Sequence, residues 1–442
     1  MPGLTLVYPS MGRRHNGKFV RSWVWEPLMM GVLSSLTPDE WDIRFFDDRV
    51  EKIDYDTQAT LVGISTETYT ARRAYEIAAR FRERGVPVII GGYHATACPE
   101  ETLMHCDSVC IGEAEGVWDQ ILSDVLKSSL KKRYESTYTK DFAGVIPDRK
   151  IFNGKGYIPV ALVESGRGCP FSCKFCSISS FYGAKYRRRN IANTLADLKK
   201  IKQKYVFLVD DNFTGDTKSA RDLMRTLAPL NIKWITQASL VGLEDREFVT
   251  AMADSGCIGV LVGFESLDKD NLTEMGKGAN HVERYSKALK NLRSARILIY
   301  GTFLFGYAND RPESFTKSVG FAIREKMFMA AFNHLVPFPG TPLYEELKSQ
   351  DRFPDPEWWL NDDFMFGQVP FEPESMSSVE LEQNCVLARK TFYSLPSIAK
   401  RAIEFRCNCS GPARFLKYLS INYLMRKEVE EKRNIPLGME DR

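Results

Sequence analysis

The sequence lacks several features that would assign it to a particular class of protein. It has no apolar run of about 18 residues or more, which a membrane-spanning helix needs. Its N-terminus does not have the basic-then-apolar pattern of a secretory signal. The formal charge of +3 is nearly neutral and gives no general sign of nucleic-acid binding. These absences predict a cytoplasmic protein with no membrane span and no nucleic-acid partner.

The composition is that of an ordinary globular protein, with 44% hydrophobic and 26% charged residues. A chain of 442 residues is long enough for two domains and a tail. Ten cysteines without a secretory signal indicate a reducing compartment, where disulfides are uncommon. The sequence shows no Ser/His/Asp arrangement and no internal repeat.

Three cysteines stand out by their spacing: Cys169, Cys173 and Cys176 form a C-x3-C-x2-C pattern directly after an apolar run. Thiolates this close in sequence can hold three corners of a cubic iron–sulfur cluster. A structural zinc site would need four ligands, usually in two pairs, and no second pair follows at such spacing. Inert buried cysteines are common singly but not in this pattern. We therefore expect a cluster with one iron left open to another ligand.

Residues 1–125 alternate short apolar runs with helical patterns, which predicts a doubly wound parallel sheet. Ligands of such sheets bind at the carboxyl ends of the strands. Residues 126–160 form a polar connector. Residues 161–345 contain six further strand-helix units, fewer than a closed eight-stranded barrel has, and so predict a partial (β/α)6 barrel. Residues 346–442 are mostly helical, with a loosely ordered end at 434–442.

The cysteine motif, with the aromatic Phe175 before its third cysteine, resembles that of the cobalamin-binding radical S-adenosylmethionine (SAM) enzymes. The resemblance covers most of residues 1–345 and implies that Cys169, Cys173 and Cys176 hold a [4Fe–4S] cluster. SAM would chelate the open iron and be cleaved to a 5′-deoxyadenosyl radical. An external low-potential electron donor, such as flavodoxin or ferredoxin, would be the partner.

The same resemblance implies a SAM site at the ends of successive strands. It assigns SAM contacts to Phe175, Asp211, Gln237 and Glu265, and it also includes the segment Val336–Tyr344. Each of the three polar residues has an alternative reading when taken alone: Asp211 as a helix cap, Gln237 as a strand-end hydrogen bonder and Glu265 as a solvated loop carboxylate.

The N-terminal segment resembles the cobalamin-binding module of this family. The loop from Tyr8 to His15 has no Asp-x-His-x-x-Gly motif, so the lower axial ligand of cobalt is left open. His94 is expected to hydrogen-bond a loop or the cofactor rather than to ligate metal. The resemblance assigns the cobalamin contacts to three loops: Ser65, Thr66, Glu67, Gly91, Gly92, Tyr93, His94, Thr96, Gly112, Glu113 and Glu115.

The implied activity is methyl transfer, in which the deoxyadenosyl radical abstracts hydrogen from an unactivated carbon and methylcobalamin donates the methyl group. Three alternatives remain open. They are a cobalamin-dependent cyclase, rearrangement or oxidative enzyme, a radical SAM enzyme that has lost cobalamin, and a non-enzymatic iron–sulfur electron carrier or sensor. No catalytic residue is assigned.

Three further features have two interpretations each. The basic run Lys185–Arg189 could meet a SAM carboxylate or a phosphate, or be a solvated loop. Cys407 and Cys409 could bind metal but make no complete site. The aromatic residues Trp358, Trp359, Phe364 and Phe366 could line a pocket for an apolar small-molecule substrate, such as a tetrapyrrole, lipid or polyketide, or could be core residues.

Overall fold

The computed structural model describes residues 1–14, 17, 19, 24–136, 144–277 and 280–438. It contains two six-stranded parallel sheets, one from each of the two predicted strand-helix series. His15 lies outside the described residues. Within them, no helix combines the length and the apolar character that a bilayer span requires.

The first sheet has the strand order β2-β1-β3-β4-β5-β6, the order of flavodoxin-like doubly wound folds with one strand added. The last strand, β6, lies within the stretch expected to be a connector. The strands are β1 Gly3–Tyr8, β2 Asp42–Asp47, β3 Leu61–Ser65, β4 Val88–Gly91, β5 Ser108–Ile111 and β6 Arg133–Glu135. The helices are α1 Leu28–Leu36, α2 Ala71–Glu83, α3 Tyr93–Ala97, α4 Pro99–His105 and α5 Trp118–Leu126.

The second sheet has the order β14-β13-β12-β11-β10-β7, so its strands follow one another in chain order, as in an open partial barrel. Its strands are β7 Val160–Val163, β10 Tyr205–Leu208, β11 Lys233–Ala238, β12 Cys257–Glu265, β13 Leu298–Phe305 and β14 Met329–His334. An antiparallel hairpin of β8 Gly166–Gly168 and β9 Tyr186–Arg188 follows β7. The helices are α6 Ser177–Tyr182, α7 Ile191–Lys200, α8 Thr217–Leu227, α9 Arg246–Asp254, α10 Lys269–Glu274, α11 Val282–Ser294, α12 Pro312–Arg324 and α13 Pro342–Ser349.

The C-terminal region packs against the open side of the second sheet. It comprises β15 Met365–Phe366, α14 Ser378–Phe392, α15 Leu395–Ala402, α16 Pro412–Glu431 and β16 Ile435–Pro436. The expectation of a loosely ordered end at 434–442 is wrong for its first part. Ile435 and Leu437 are buried, β16 pairs with β15, and the amide of Gly438 donates to the carbonyl of Met11.

The apolar patterns of the sequence explain why these strands and helices form where they do. Strand β3 is buried on both faces, as expected for a parallel strand covered by helices. Helix α2 buries a stripe that includes Ala74, Ile77, Ala78 and Phe81. One continuous hydrophobic cluster runs from this stripe to the second sheet and on to Trp358 and Trp359. The two sheets and the C-terminal region therefore share one core.

Candidate functional site

The cysteine loop lies between the β8–β9 hairpin and the turn after α10. The amide of Lys174 donates to the carbonyl of Met275 (2.9 Å), and the amide of Leu343 donates to the carbonyl of Lys174 (3.0 Å). The amide of Cys176 donates to the carbonyl of Cys173 (3.1 Å), which closes a turn between the two cysteines. These bonds fix the loop at the carboxyl end of the second sheet.

The spacing of the three cysteine sulfurs suits a cluster better than a single metal ion. The sulfur atoms of Cys169, Cys173 and Cys176 do not all lie within 4.8 Å of one another, as the ligands of a single zinc ion would. All ten cysteines are free thiols. Burial raises the pKa of the Cys173 thiol to about 11, and the ammonium of Lys277 acts in the opposite direction. The Nδ2 of Asn212 donates to the Sγ of Cys169 (3.4 Å).

Three predicted SAM residues lie at the carboxyl ends of adjacent strands. Asp211 lies shortly after β10, Gln237 is the last residue but one of β11, and Glu265 is the last residue of β12. The backbone N–H of Gly168 donates to Oδ2 of Asp211 (2.7 Å), and burial raises the pKa of this carboxyl to about 7. No side-chain hydrogen bond of Gln237 is found among the described residues. Phe175 lies on the wall of a cavity described below.

Glu265 is buried beside the cysteine loop and forms an ion pair with Lys277. A Cβ on Gly263 would collide with Oε1 of Glu265, so the glycine leaves room for the carboxylate. Glu265 itself has a φ of 62°, at a register shift between β12 and β13. The segment 263–265 therefore places the carboxylate of Glu265, paired with Lys277, next to the cysteine loop.

The arginines of the run Lys185–Arg189 are paired with carboxylates rather than solvated. Arg187 pairs with Glu113 (2.6 Å), Arg188 pairs with Asp210 (2.8 Å), and Arg189 pairs with Asp197 (3.2 Å). The solvated-loop interpretation is wrong for these arginines, because buried carboxylates from other elements pair with their guanidinium groups. Contact of the run with a SAM carboxylate or a phosphate stays a prediction. Lys185 alone is exposed.

A first cavity of about 510 Å³ lies between the carboxyl end of the first sheet and the cysteine loop. Nine of the predicted cobalamin residues line it: Ser65, Thr66, Glu67, Gly91, Gly92, Tyr93, Gly112, Glu113 and Glu115. Other residues of the first sheet and its helices also line it, and the segments of the second sheet contribute Arg167, Ser177, Ile178, Phe181, Tyr182 and Phe338. At Gly92, where φ is 103°, a Cβ would lie 2.5 Å from the carbonyl oxygen of Thr66.

Two predicted cobalamin residues do not line this cavity. His94 is fully buried, with Nε2 3.0 Å from Oε1 of Glu101 and Nδ1 3.3 Å from Oγ1 of Thr68. Thr96 accepts the N–H of Gly112 (3.0 Å) and so braces two of the cavity loops. The Nε2 of His94, the Sγ of Cys98 and a Glu101 oxygen lie within 4.8 Å, but the Glu101 carboxylate is already satisfied by hydrogen bonds.

The acidic residues of the first cavity have different surroundings. Glu67 lines the cavity, where desolvation raises the pKa of its carboxyl and the nearby Arg49 acts in the opposite direction. Glu113 pairs with both Arg167 (2.7 Å) and Arg187 (2.6 Å). Arg167 also pairs with Glu115 (2.6 Å). These ion pairs join the loop after β5 to the β8–β9 hairpin across the cavity.

A second cavity of about 540 Å³ lies along the edge strand β14, beneath the C-terminal helices. Phe175 and Cys176 of the cysteine loop reach its wall. Tyr69, Ser177 and Phe338 line both cavities and so separate them. The remaining walls come from β13, β14, β15, α14, α16 and the residues next to them. They include Tyr300, Leu304, Ala331, His334, Phe366 and Tyr393.

Comparisons with known proteins agree with this geometry. The family model described as the Radical SAM superfamily matches residues 163–319, and the B12 binding domain matches residues 31–122. Bacteriochlorophyllide d C-12(1)-methyltransferase of Chlorobaculum tepidum is 31% identical over 85% of this chain and 84% of its own length. Bacteriochlorophyllide d C-8(2)-methyltransferase of the same organism is 33% identical over 75% of this chain and 78% of its own length.

Solved structures share the fold. The radical SAM methyltransferase TsrM from Kitasatospora setae, with cobalamin and [4Fe–4S] cluster bound, has a TM-score of 0.69 at 15% identity, covering 98% of this chain and 99% of that one. The cobalamin-dependent SAM radical enzyme OxsB has a TM-score of 0.70 at 16% identity, covering 97% of this chain and 72% of that one. The chain belongs to the cobalamin-binding radical SAM enzymes. Its cofactors are a [4Fe–4S] cluster, SAM and cobalamin.

The residues present fit these groups. The thiols of the cysteine loop are cluster donors, and the glycine-walled first cavity lies at the strand ends where doubly wound sheets bind ligands. Sequence reasoning missed Lys277, Tyr69, Phe338 and Arg167, which reach the site from distant segments and carry no local signal. Trp358 and Trp359 are core residues, whereas Phe366 lines the second cavity. The thiol of Cys407 is buried and donates a hydrogen bond to the carbonyl of Ile297.

Proposed function

We propose that this enzyme methylates an unactivated carbon of a small molecule held in the second cavity. The observation that supports this proposal is the shared wall of Tyr69, Ser177 and Phe338 between the two cavities. A substrate on one side of this wall would lie close to both the cysteine loop and the cobalamin-binding loops. The cluster with SAM supplies a radical oxidant there, and cobalamin supplies the methyl group.

The predicted substrate is an apolar ring system of the tetrapyrrole class. Most of the side chains around the second cavity are aromatic or aliphatic, which suits a flat apolar molecule. The two bacteriochlorophyllide methyltransferases, which align with most of this chain, make bacteriochlorophyllide d the first candidate. Ten free thiols suit a reducing compartment, so we place the enzyme in the cytoplasm, with a flavodoxin- or ferredoxin-type electron donor.

The proposed reaction balances with two SAM molecules and two electrons from that donor. One SAM gives its methyl group and leaves as S-adenosylhomocysteine. The other is cleaved to methionine and 5′-deoxyadenosine, which carries away the hydrogen of the substrate carbon. The substrate gains one methyl group in place of that hydrogen.

The chain itself positions these reactants and excludes water. Lys277 and Glu265 place a buried pair of opposite charges beside the cluster loop. Asp211 and Gln237 offer polar groups for SAM at the neighbouring strand ends. Segment 1–125 holds the cobalamin, segment 161–345 holds the cluster and SAM, and segment 346–442 closes the substrate cavity.

The decisive experiment is anaerobic reconstitution with iron, sulfide and hydroxocobalamin, followed by turnover with SAM, reductant and bacteriochlorophyllide d. Mass spectrometry is expected to show a product heavier by one CH₂ unit, with equal amounts of S-adenosylhomocysteine and 5′-deoxyadenosine. Product and deoxyadenosine without S-adenosylhomocysteine would instead identify a cyclase or rearrangement enzyme. Failure to retain cobalamin, or to form deoxyadenosine from SAM, would contradict the proposal at its first step.

A further inference from the structure

The second cavity is apolar over most of its wall but basic at one side. Arg389 from α14 and Lys432 and Arg433 from the end of α16 line it there, while Cys176 and Phe175 line it next to the cluster loop. The aromatic rings of Tyr69, Phe338, Phe366 and Tyr393 account for much of the remaining wall. A molecule in this cavity would therefore meet an apolar surface and a group of cations.

Two of these three cations already have partners. Arg433 pairs with Glu382 (2.7 Å), and Lys432 pairs with Glu428 (3.1 Å). Arg389 differs, because its one hydrogen bond among the described residues runs from Nε to the carbonyl of Cys385 in its own helix (3.3 Å). No carboxylate in the described part of the chain pairs with its guanidinium. Arg389 is thus a cation without a counterion on the wall of a largely apolar cavity.

The surroundings of Arg389 do not neutralise it. Burial lowers its pKa, and the nearby Arg433 acts in the same direction, yet an arginine remains charged at neutral pH. His334 on β14 supplies no negative charge: its Nδ1 lies 2.8 Å from the carbonyl oxygen of Leu335, and burial lowers its pKa. Glu382, which also acts electrostatically on Arg389, pairs with Arg433, and Glu428 on the cavity wall pairs with Lys432 through one oxygen. Among the described residues, the three cations of this side therefore outnumber its two carboxylates by one.

A partly buried cation on an apolar wall is stabilised when an anion accompanies it. With Nε engaged, the planar guanidinium keeps its Nη1/Nη2 edge, whose two N–H bonds match the two oxygens of a carboxylate. We infer that Arg389 binds a carboxylate carried by the substrate, and so anchors an apolar ring system by its acidic side chain. This inference rests on the proposed function only in taking the second cavity as the substrate site. The anchored acid then leaves the body of the substrate to extend toward Cys176.

The test compares an acid with its neutral ester on the cluster-free full-length chain. The probes are 4-(1-pyrenyl)butyric acid and its methyl ester, titrated by fluorescence anisotropy. The wild-type chain is expected to bind the acid about tenfold or more tightly than the ester, because a hydrogen-bonded charge pair is being formed. Arg389→Gln should remove this preference by weakening the acid alone, and Arg389→Lys should keep part of it.

Two further variants make the result specific. Arg406→Gln removes an exposed arginine outside the cavity and should leave both affinities unchanged. Ala331→Phe fills the cavity from β14 and should weaken acid and ester alike. Circular dichroism confirms that each variant is folded before titration. Equal binding of acid and ester by the wild-type chain, an acid preference that persists in Arg389→Gln, undiminished binding by Ala331→Phe, or no binding of either probe would each overturn the assignment.

The outcome is separable from that of the proposed function. Deoxyadenosine formation from SAM without substrate depends on the cysteine loop and is measured on the reconstituted wild-type enzyme. If reconstituted enzyme made no deoxyadenosine, the proposed function would fail while the acid preference could still be measured. If deoxyadenosine formed normally but the acid preference were absent, the carboxylate assignment alone would fail.

Discussion

The indole Nε1 of Trp359 lies 3.2 Å from both oxygens of Glu101, 258 residues earlier in the chain. The hydroxyl of Tyr75 (2.7 Å) donates to Oε1 of the same carboxylate, and Nε2 of His94 lies 3.0 Å from that oxygen. Helices α3 and α4, which follow the Gly91–Gly92 turn of the first cavity, are thereby tied to the C-terminal region. Trp359, a core residue, therefore helps to fix the position of the Gly91–Gly92 turn that lines the first cavity.

The variant Trp359→Phe is expected to lower the free energy of unfolding by about 2 kcal/mol, since it removes a buried hydrogen bond to a charged group. Trp358→Phe is the matched control, because Trp358 is equally buried but its indole N–H has no hydrogen-bond partner among the described residues. Urea unfolding of both variants would measure the difference. An equal loss in the two would show that indole volume, rather than the bond to Glu101, is what matters.

The variant Gly92→Ala should impair the first cavity. The residue has a φ of 103°, which L side chains rarely adopt, and the new Cβ would lie 2.5 Å from the carbonyl oxygen of Thr66. We expect a loss of about 2 kcal/mol or more in unfolding free energy, and weaker retention of hydroxocobalamin in its absorption spectrum. Gly85→Ala has a comparable φ of 74° but open space around it, and should retain full cobalamin binding.

The variant Cys173→Ala should abolish 5′-deoxyadenosine formation, because a cluster held by two thiolates loses both its stability and its access to SAM. Iron and sulfide content after reconstitution, together with chromatography of the SAM products, would measure this. Cys409→Ala is the control, since that thiol is buried in the C-terminal region away from the cluster loop. Normal turnover by Cys173→Ala would refute the cluster assignment.

The raised pKa of Asp211 predicts that the stability of the cluster-free chain depends on pH. Burial raises the pKa of its carboxyl from 3.8 to about 7, so between these values the folded state binds more protons than the unfolded state. The free energy of unfolding should therefore fall as pH rises from about 4 to 7, by about 2 kcal/mol after allowance for partial exposure. Asp211→Asn should lack this part of the decline. Parallel urea titrations at pH 5 and pH 7.5 compare the two proteins, and identical slopes would contradict the prediction.

Much of the fold could be predicted because the signals were local. Each of the eleven longer strands of the two sheets coincides with an apolar run in the sequence. Strand β6 was missed because it is short and has two exposed residues out of three. The ordered segment at Ile435–Leu437 was missed because its burial depends on β15 and Met11, which are far away in sequence.

Only those parts of the candidate site that lie within a single loop could be predicted from the sequence. The cysteine pattern and the glycine turns identify themselves by spacing. Lys277 and Arg389 do not, because a single charged residue on a helix or turn looks like any solvated one. Their significance comes from the groups that surround them in space: Lys277 is paired with a buried carboxylate, whereas no carboxylate among the described residues forms an ion pair with Arg389.

The wall of Tyr69, Ser177 and Phe338 has a consequence for how such an enzyme can change. Any substitution there would alter both the first cavity, which we propose holds cobalamin, and the second cavity, which we propose holds the substrate, so selection for a new substrate would be opposed by loss of the cofactor. Residues that face only the second cavity, such as Ala331 and Leu304, carry no such penalty. Divergence between relatives with different substrates should accumulate on that side, and redesign for a new substrate should begin there.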